Sequence, residues 1–229
     1  MLQKLITIFL LVYLLAGCAA APAEIAPKTT VADTRQYVFT EGLCCYHIPK
    51  ISAPNARQIN ETLYDIYYDL LQAEVFELPV ESRFLLGLTY EVGQKGDVVS
   101  VTVLQRGDCD LDSYDVYYFS ASTGEELTKE AVFAAFGMTL EAGQESIRKA
   151  MERNFDMAQK INGSEDPFFL EQKEKTLADE NVAAAKPLIA ANGELQFVGE
   201  FYALAGADSY WHRSNLQGEL LEMACPEHN

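Results

Sequence analysis

Apolar positions along this chain follow two periods, and the period changes in blocks. From Tyr37 to His47 apolar and polar residues alternate loosely, which predicts a strand that Pro49 ends. Ser52 is a capping residue and Pro54 suits a first helical turn. Ile59, Leu63, Ile66, Leu70 and Leu71 then recur at helical spacing, so an amphipathic helix is predicted from Ala53 to about Val75. Alternation returns at Phe84–Val92 and Val98–Gln105, a predicted strand pair turning over Gly93 to Asp97. In its second strand Val99, Val101 and Val103 share one face, while Val98, Ser100, Thr102 and Leu104 share the other. Tyr114–Ser120 is a third, strongly aromatic strand, closed by Ser122-Thr123-Gly124.

Helical spacing dominates afterwards. Thr128 opens a short helix through Phe136. Thr139 caps the next, whose stripe of Leu140, Ile147, Met151, Phe155 and Ala158 runs to about Ile161. Asn162-Gly163-Ser164 breaks it, and Asp166-Pro167 restarts a charged surface helix to about Ala185. Pro187–Ala190 and Glu194–Leu204 then predict a hairpin about Asn192-Gly193. Segregated blocks of this kind predict one α+β domain over residues 35–229. Its expected form is a mainly antiparallel sheet packed by a long N-terminal helix and two or three further helices.

The first 34 residues stand outside that scheme. Lys4 precedes the apolar run Leu5 to Leu15, which is shorter than the roughly 20 residues a bilayer span requires. It suits the apolar region of a signal peptide over residues 1–17. The run ends in Leu15-Ala16-Gly17-Cys18, which resembles the bacterial lipobox. That likeness implies lipidation of Cys18 after cleavage, and so anchorage to the outer face of the cell membrane. Residues 18–34 are rich in Ala, Pro and Thr and read as a flexible tether.

An exported chain can hold disulfides. Besides Cys18 there are Cys44, Cys45, Cys109 and Cys225. Cys109 is expected to pair with Cys44 or Cys45, Cys45–Cys109 being the pairing adopted; a vicinal Cys44–Cys45 bridge is strained. Four reduced thiols are the alternative. The formal net charge is −17, and loss of a leader charged only at Lys4 makes it one unit more negative. Such a surface repels nucleic acid and favours a cationic partner.

Several segments together resemble one family. They are Tyr46-His-Ile-Pro-Lys-Ile51 with Asn60 in the following helix, the strand Val98–Val103, and Tyr117-Tyr-Phe-Ser-Ala-Ser-Thr-Gly124 with Leu127-Thr128 and Phe133. This pattern resembles the extracellular domain of RsiV-type anti-sigma factors, found also beside peptidoglycan deacetylases and in stand-alone lipoproteins. The resemblance covers roughly Tyr37 to Tyr210. It implies a non-enzymatic binding module, and in the RsiV branch the ligand is lysozyme, a basic protein. It also raises the alternative of an accessory or catalytic part in peptidoglycan remodelling, as a hydrolase or deacetylase. The family ending is matched only in part by Phe201-Tyr-Ala-Leu-Ala-Gly-Ala-Asp-Ser-Tyr-Trp211.

Residue chemistry points the same way. Asp108-Cys-Asp-Leu-Asp-Ser113 begins like a calcium loop, but Ser113 and Phe119 stand where that loop needs Gly and Glu. An acidic hairpin loop is the simpler reading, and no metal or cofactor is expected. Ser209 and His212 are close in sequence without a nucleophile elbow around them. His47 beside Cys44 and Cys45 lacks the second ligand pair of a zinc site. The stretch chosen for binding is Asp208, Tyr210 and Trp211, which holds the one Trp of the chain.

Overall fold

The computed structural model describes residues 29–38, 45–54, 56–71, 87–106, 112–162, 167–202 and 209–221. Among them are nine strands and five helices. In chain order these are β1 (Thr30–Val38), β2 (Cys45–Ser52), α1 (Arg57–Leu71), β3 (Gly87–Lys95), β4 (Val98–Arg106) and β5 (Ser113–Ser120). There follow α2 (Lys129–Ala135), α3 (Leu140–Asn162), α4 (Pro167–Thr176), α5 (Asp179–Ala184), β6 (Lys186–Ile189), β7 (Leu195–Phe201), β8 (Tyr210–Asn215) and β9 (Leu220–Leu221).

One sheet on a long N-terminal helix, as expected, is not what forms. The strands divide into a five-stranded sheet, β1-β2-β3-β4-β5, and a four-stranded sheet, β6-β7-β8-β9. Helix and strand contents are about equal. The first described helix spans 15 residues and starts at Arg57; just before it Ala56 N–H donates to Ala53 C=O at 3.2 Å. Among the described residues the longest helix is α3, with 23 residues, in the middle of the chain.

Sequence boundaries shift for local reasons. The strand expected over Tyr37–His47 is the end of β1 and the start of β2, and β1 begins at Thr30, inside the stretch read as tether. Pro49 does not stop β2. It pairs with Asp33 where the register slips between Asp33 and Arg35, and a bulge is a place where a ladder tolerates proline. The turn after β3 is tighter than expected, with Gly96 at φ 58°. The charged helix predicted to Ala185 is two helices, α4 and α5. Asn181 Nδ2 donates to Thr176 C=O at 2.8 Å and to Glu200 C=O at 2.9 Å, fixing the break. The β8–β9 pair was not anticipated.

The five-stranded sheet curls until its first strand meets its last. Thr29 N–H donates to Ala121 C=O at 3.2 Å, and Thr29 Oγ1 to Ser120 C=O at 2.6 Å. Inside the curl, Val99, Val101 and Val103 pack with Ile48, Ile51, Leu63, Leu88 and Phe119. Asn60 of α1 closes the side of β2. Its amide accepts from Ile51 N–H at 2.8 Å and donates to Ile51 C=O at 2.6 Å, standing in for a neighbouring strand.

The opposite face receives the second sheet. Register places Tyr118, Ser100 and Gly93 side by side across β5, β4 and β3. β6 runs over that row. Tyr118 Oη donates to Pro187 C=O at 2.8 Å. Ser100 Oγ accepts from Ile189 N–H and donates to Ile189 C=O, each at 2.9 Å. A Cβ on Gly93 would lie 1.9 Å from that carbonyl oxygen, so only glycine admits the approach. β6 therefore crosses the three strands steeply, as in orthogonal sheet packing. Helices α2 to α5 cover the far side through Phe133, Ile147, Met151, Phe155 and Phe169, which share a core with Phe197 of β7.

Candidate binding surface

The predicted site residues are only partly brought together. Cys18, Cys109 and Asp208 lie outside the described residues, and Cys45 is the first residue of β2, paired through its backbone with Val38. Tyr210 and Trp211 are neighbours on β8, and neighbours on a strand face opposite ways. Tyr210 stacks on His212 with ring centroids 6.0 Å apart, and His212 also meets Phe201 at 5.9 Å. Trp211 instead packs against the cluster of Leu104, Tyr114, Leu188, Ala190 and Val198, between the two sheets. The pair therefore contributes one residue to each of two surfaces.

The Trp211 surface carries the more definite geometry. Lys186, the first residue of β6, places Nζ 5.5 Å from the Trp211 ring centre. The same ammonium donates to Tyr114 C=O at 2.7 Å and lies 3.4 Å from Asp115 Oδ1. Across β7 and β8, Glu200 pairs with Trp211, and its carboxylate accepts from the Ser209 hydroxyl. A half-buried indole is thus framed by one cation and two carboxylates, each held by the fold. Aromatic groups immobilised in this way cost little entropy on contact.

Beneath it lies a charged clamp. Arg213, buried on β8, sends Nη2 to Glu91 Oε1 at 2.7 Å and Nη1 to Glu91 Oε2 at 3.1 Å. Its Nε donates to Gln196 Oε1 at 2.6 Å, and Ala191 N–H donates to Glu91 Oε1 at 2.9 Å. Both sheets and the β6–β7 loop meet in this one network.

Ser209 and His212 do not form a catalytic pair. The Ser209 hydroxyl is engaged by Glu200, while His212 sits between Phe201 and Tyr210 on the other face. Burial pushes the His212 imidazole below its ordinary range, with the charge of Asp112 pulling back. Among the described residues no group of three or more His, Cys, Asp or Glu is placed to hold a metal ion. None of the described helices is long and apolar enough to cross a membrane.

Two grooves open on the described residues. One of about 640 Å³ runs between the end of β2 and α1, lined by Lys50, Arg57, Asn60, Glu61, Tyr64 and Asp65 among others. The other, about 320 Å³, lies along the edge of β5 between Lys129 and Lys186. Sequence reasoning missed Lys186 altogether. It lies 72 residues from the carbonyl it meets, and a single Lys before a proline carries no local signal.

No protein-family model matches the chain, and a search of curated proteins finds none similar to it.

Proposed function

We propose that this chain is a cell-surface lipoprotein, anchored through Cys18, whose folded part is a non-enzymatic binding module for a basic envelope partner such as lysozyme. The observation that carries this reading is how the charges are distributed. Arg57, Arg148, Lys149, Lys173, Lys175 and Lys186 each pair with a carboxylate on the surface. In a chain of net charge −17, the surplus is then carboxylate facing water, for example at Glu126, Glu130, Glu141, Glu174 and Glu180.

Two of these acids are held firmly ionised. Hydrogen bonds from the Thr128 side chain and from its own backbone N–H keep the Glu130 carboxyl below its usual range. For Glu141 the backbone N–H is the larger cause and the Thr139 hydroxyl the second. Both sit in the first turn of a helix, where the dipole favours negative charge. A long-range negative field of this kind steers a cationic partner and weakens steeply with salt. The RsiV-like pattern around Tyr46–Ile51, Val98–Val103 and Tyr117–Gly124 supports the same partner class.

The test is retention of lysozyme on the immobilised full chain. Retention at low salt that falls away by 0.5 M NaCl, roughly a 4 Å Debye length, is the expected result. Absence of retention at low salt removes lysozyme as the partner. Cys18→Ser should release the chain from the membrane fraction, and unchanged fractionation would overturn the anchor.

A further inference from the structure

The five-stranded sheet has two ends, and the chain enters it at a particular one. Strand register places Thr30, Ser52, Lys95, Val98 and Ser120 together at the first end. Val38, Cys45, Gly87, Arg106 and Ser113 mark the second. Thr29 is locked into the first end. It is 5% exposed, and its N–H and hydroxyl are both spent on the Ala121 and Ser120 carbonyls. The β3–β4 turn and Ser122–Gly124 make the adjoining corner. Ala121 N–H donates to Asp97 C=O at 2.7 Å, and Ser122 N–H donates to Asp97 Oδ1 at 2.7 Å. Lys95 Nζ lies 5.0 Å from the centre of the Phe136 ring, which brings the end of α2 to the same corner.

The Trp211 surface sits toward the second end. Trp211 packs against the cluster holding Leu104 and Tyr114, which pair next to the last register pair of β4 and β5. Lys186 Nζ meets the Tyr114 carbonyl there. Tyr114 and Ser120 are six residues apart on one strand, so at about 3.3 Å per residue the two surfaces stand about 20 Å apart along β5.

Eleven residues carry the chain from Cys18 to Thr29. A segment of that length spans at most about 40 Å. A domain of this size is itself about 40 Å across, from the scaling of radius with chain length. To lay the Trp211 surface on a bilayer, the end at Thr29 would have to stand almost a whole domain away from it. That pose uses nearly the full contour between Cys18 and Thr29, and a fully drawn-out chain gives up the most conformational entropy. With Thr29 toward the bilayer, the same eleven residues reach without being drawn out.

We infer that the domain stands on the membrane with the corner of Gln94–Asp97 and Ser122–Gly124 toward the lipid headgroups and the Trp211–Lys186 surface held outward. This orientation deepens the proposed function, and it rests on the Cys18 anchor. The exposed side chains of the corner, Gln94, Lys95, Asp97, Ser122 and Thr123, are polar, so it lies against headgroups and does not insert. A basic partner arriving from outside then meets the indole, Glu200 and Asp115 without first crossing the headgroup layer.

The experiment uses the full acylated chain in phosphatidylcholine vesicles with a dansyl acceptor on a fraction of the headgroups. Trp211 is the one Trp of the chain, so its energy transfer to that acceptor reads the height of its surface. The double variant Trp211→Phe with Thr123→Trp moves the indole to the other end. With an offset of about 20 Å, transfer should rise severalfold in the double variant. Should Trp211→Phe fail to fold, Lys95→Trp added to the parent gives the same comparison, and the added indole should supply most of the transfer. Equal transfer from the two ends, or more from Trp211, in a chain that floats with the vesicles overturns the orientation and leaves the anchor standing. Cys18→Ser should abolish flotation and transfer alike. Flotation that survives Cys18→Ser overturns the anchor, and the orientation falls with it.

Discussion

The two faces of β4 are made by one run of nine residues and are held by different physics. Val99, Val101 and Val103 face the inside of the curl, where their neighbours are apolar. Val98, Ser100, Thr102 and Leu104 face the second sheet and are buried just as deeply, yet two of the four are hydroxyl residues. The first face closes by burial, which has no direction and accepts any partner of the right volume. The second closes through Ser100, Tyr118 and Glu91, whose partners are particular backbone groups of Pro187, Ile189 and Ala191. A hydrogen bond adds only about 1 kcal/mol net, but leaving its buried partner unmet costs about 1–3 kcal/mol. Burial thus decides that a face is covered, while the polar groups decide by what and at which angle.

The comparison is broken most forcefully at the charged clamp. Glu91→Ala leaves Arg213 buried without its carboxylate and strips the acceptor from Ala191 N–H. Breaking a buried pair costs about 3–5 kcal/mol, and the low end applies because the Glu91 side chain keeps 26% of its surface in water. Urea unfolding should therefore show a loss of about 3 kcal/mol. The double replacement Glu91→Leu with Arg213→Met should recover most of it. If the double variant is as weak as the single one, the clamp contributes more than charge compensation.

The next contrast sets one face against the other. Val101→Ala should cost about 2 kcal/mol by removing buried methyl groups inside the curl. Ser100→Ala should cost about 1–2 kcal/mol through the two unmet groups of Ile189. The two losses should differ in where they appear. Native-state hydrogen exchange after Ser100→Ala should speed the amides of β6 and β7 and spare those at Val101 and Val103. Equal acceleration of both sheets would mean that they open as one unit, and the distinction between the faces would have no dynamic meaning.

This division explains what could be read from the sequence. The alternation of Val99, Val101 and Val103 reports an apolar face directly, and the predicted β4 ends one residue from the observed strand. Thr139 was legible as a cap, and its Oγ1 does accept from Ala142 N–H at 3.2 Å. The second sheet was not legible as a separate layer. Its docking depends on pairs such as Ser100 with Ile189, 89 residues apart, and on a missing Cβ at Gly93. A hairpin signal at Asn192-Gly193 identifies the turn but not the surface the hairpin lies on. Proline and the helix start misled for a related reason. A bulge opposite Pro49 and a turn before Arg57 are settled by neighbouring strands, which local spacing does not record. At the candidate surface, Trp211 was legible as the one indole in the chain. Its opposition to Tyr210 follows only once β8 is known to be a strand, and Lys186 enters through β6 alone.

The smallest expected effect lies where the two faces share a corner. Asp97, exposed in the β3–β4 turn, accepts from Ser120 Oγ and from Ser122 N–H, each at 2.7 Å. Ser120 in turn offers its carbonyl to Thr29, so this carboxylate supports the contact that closes the curl. Hydrogen bonds from the Ser120 and Ser122 side chains hold the Asp97 carboxyl below its ordinary range. A carboxyl lowered by folding stabilises the native state above its unfolded pKa, about 3.9, and loses that contribution as pH falls through the folded value. The thermal midpoint of the parent should therefore exceed that of Asp97→Asn at neutral pH, and the gap should close as pH drops below about 4. A gap that persists unchanged into strong acid would assign the effect to shape at the turn and not to the charge, and the closure of the curl would then rest on Thr29 and Ser120 without help from Asp97.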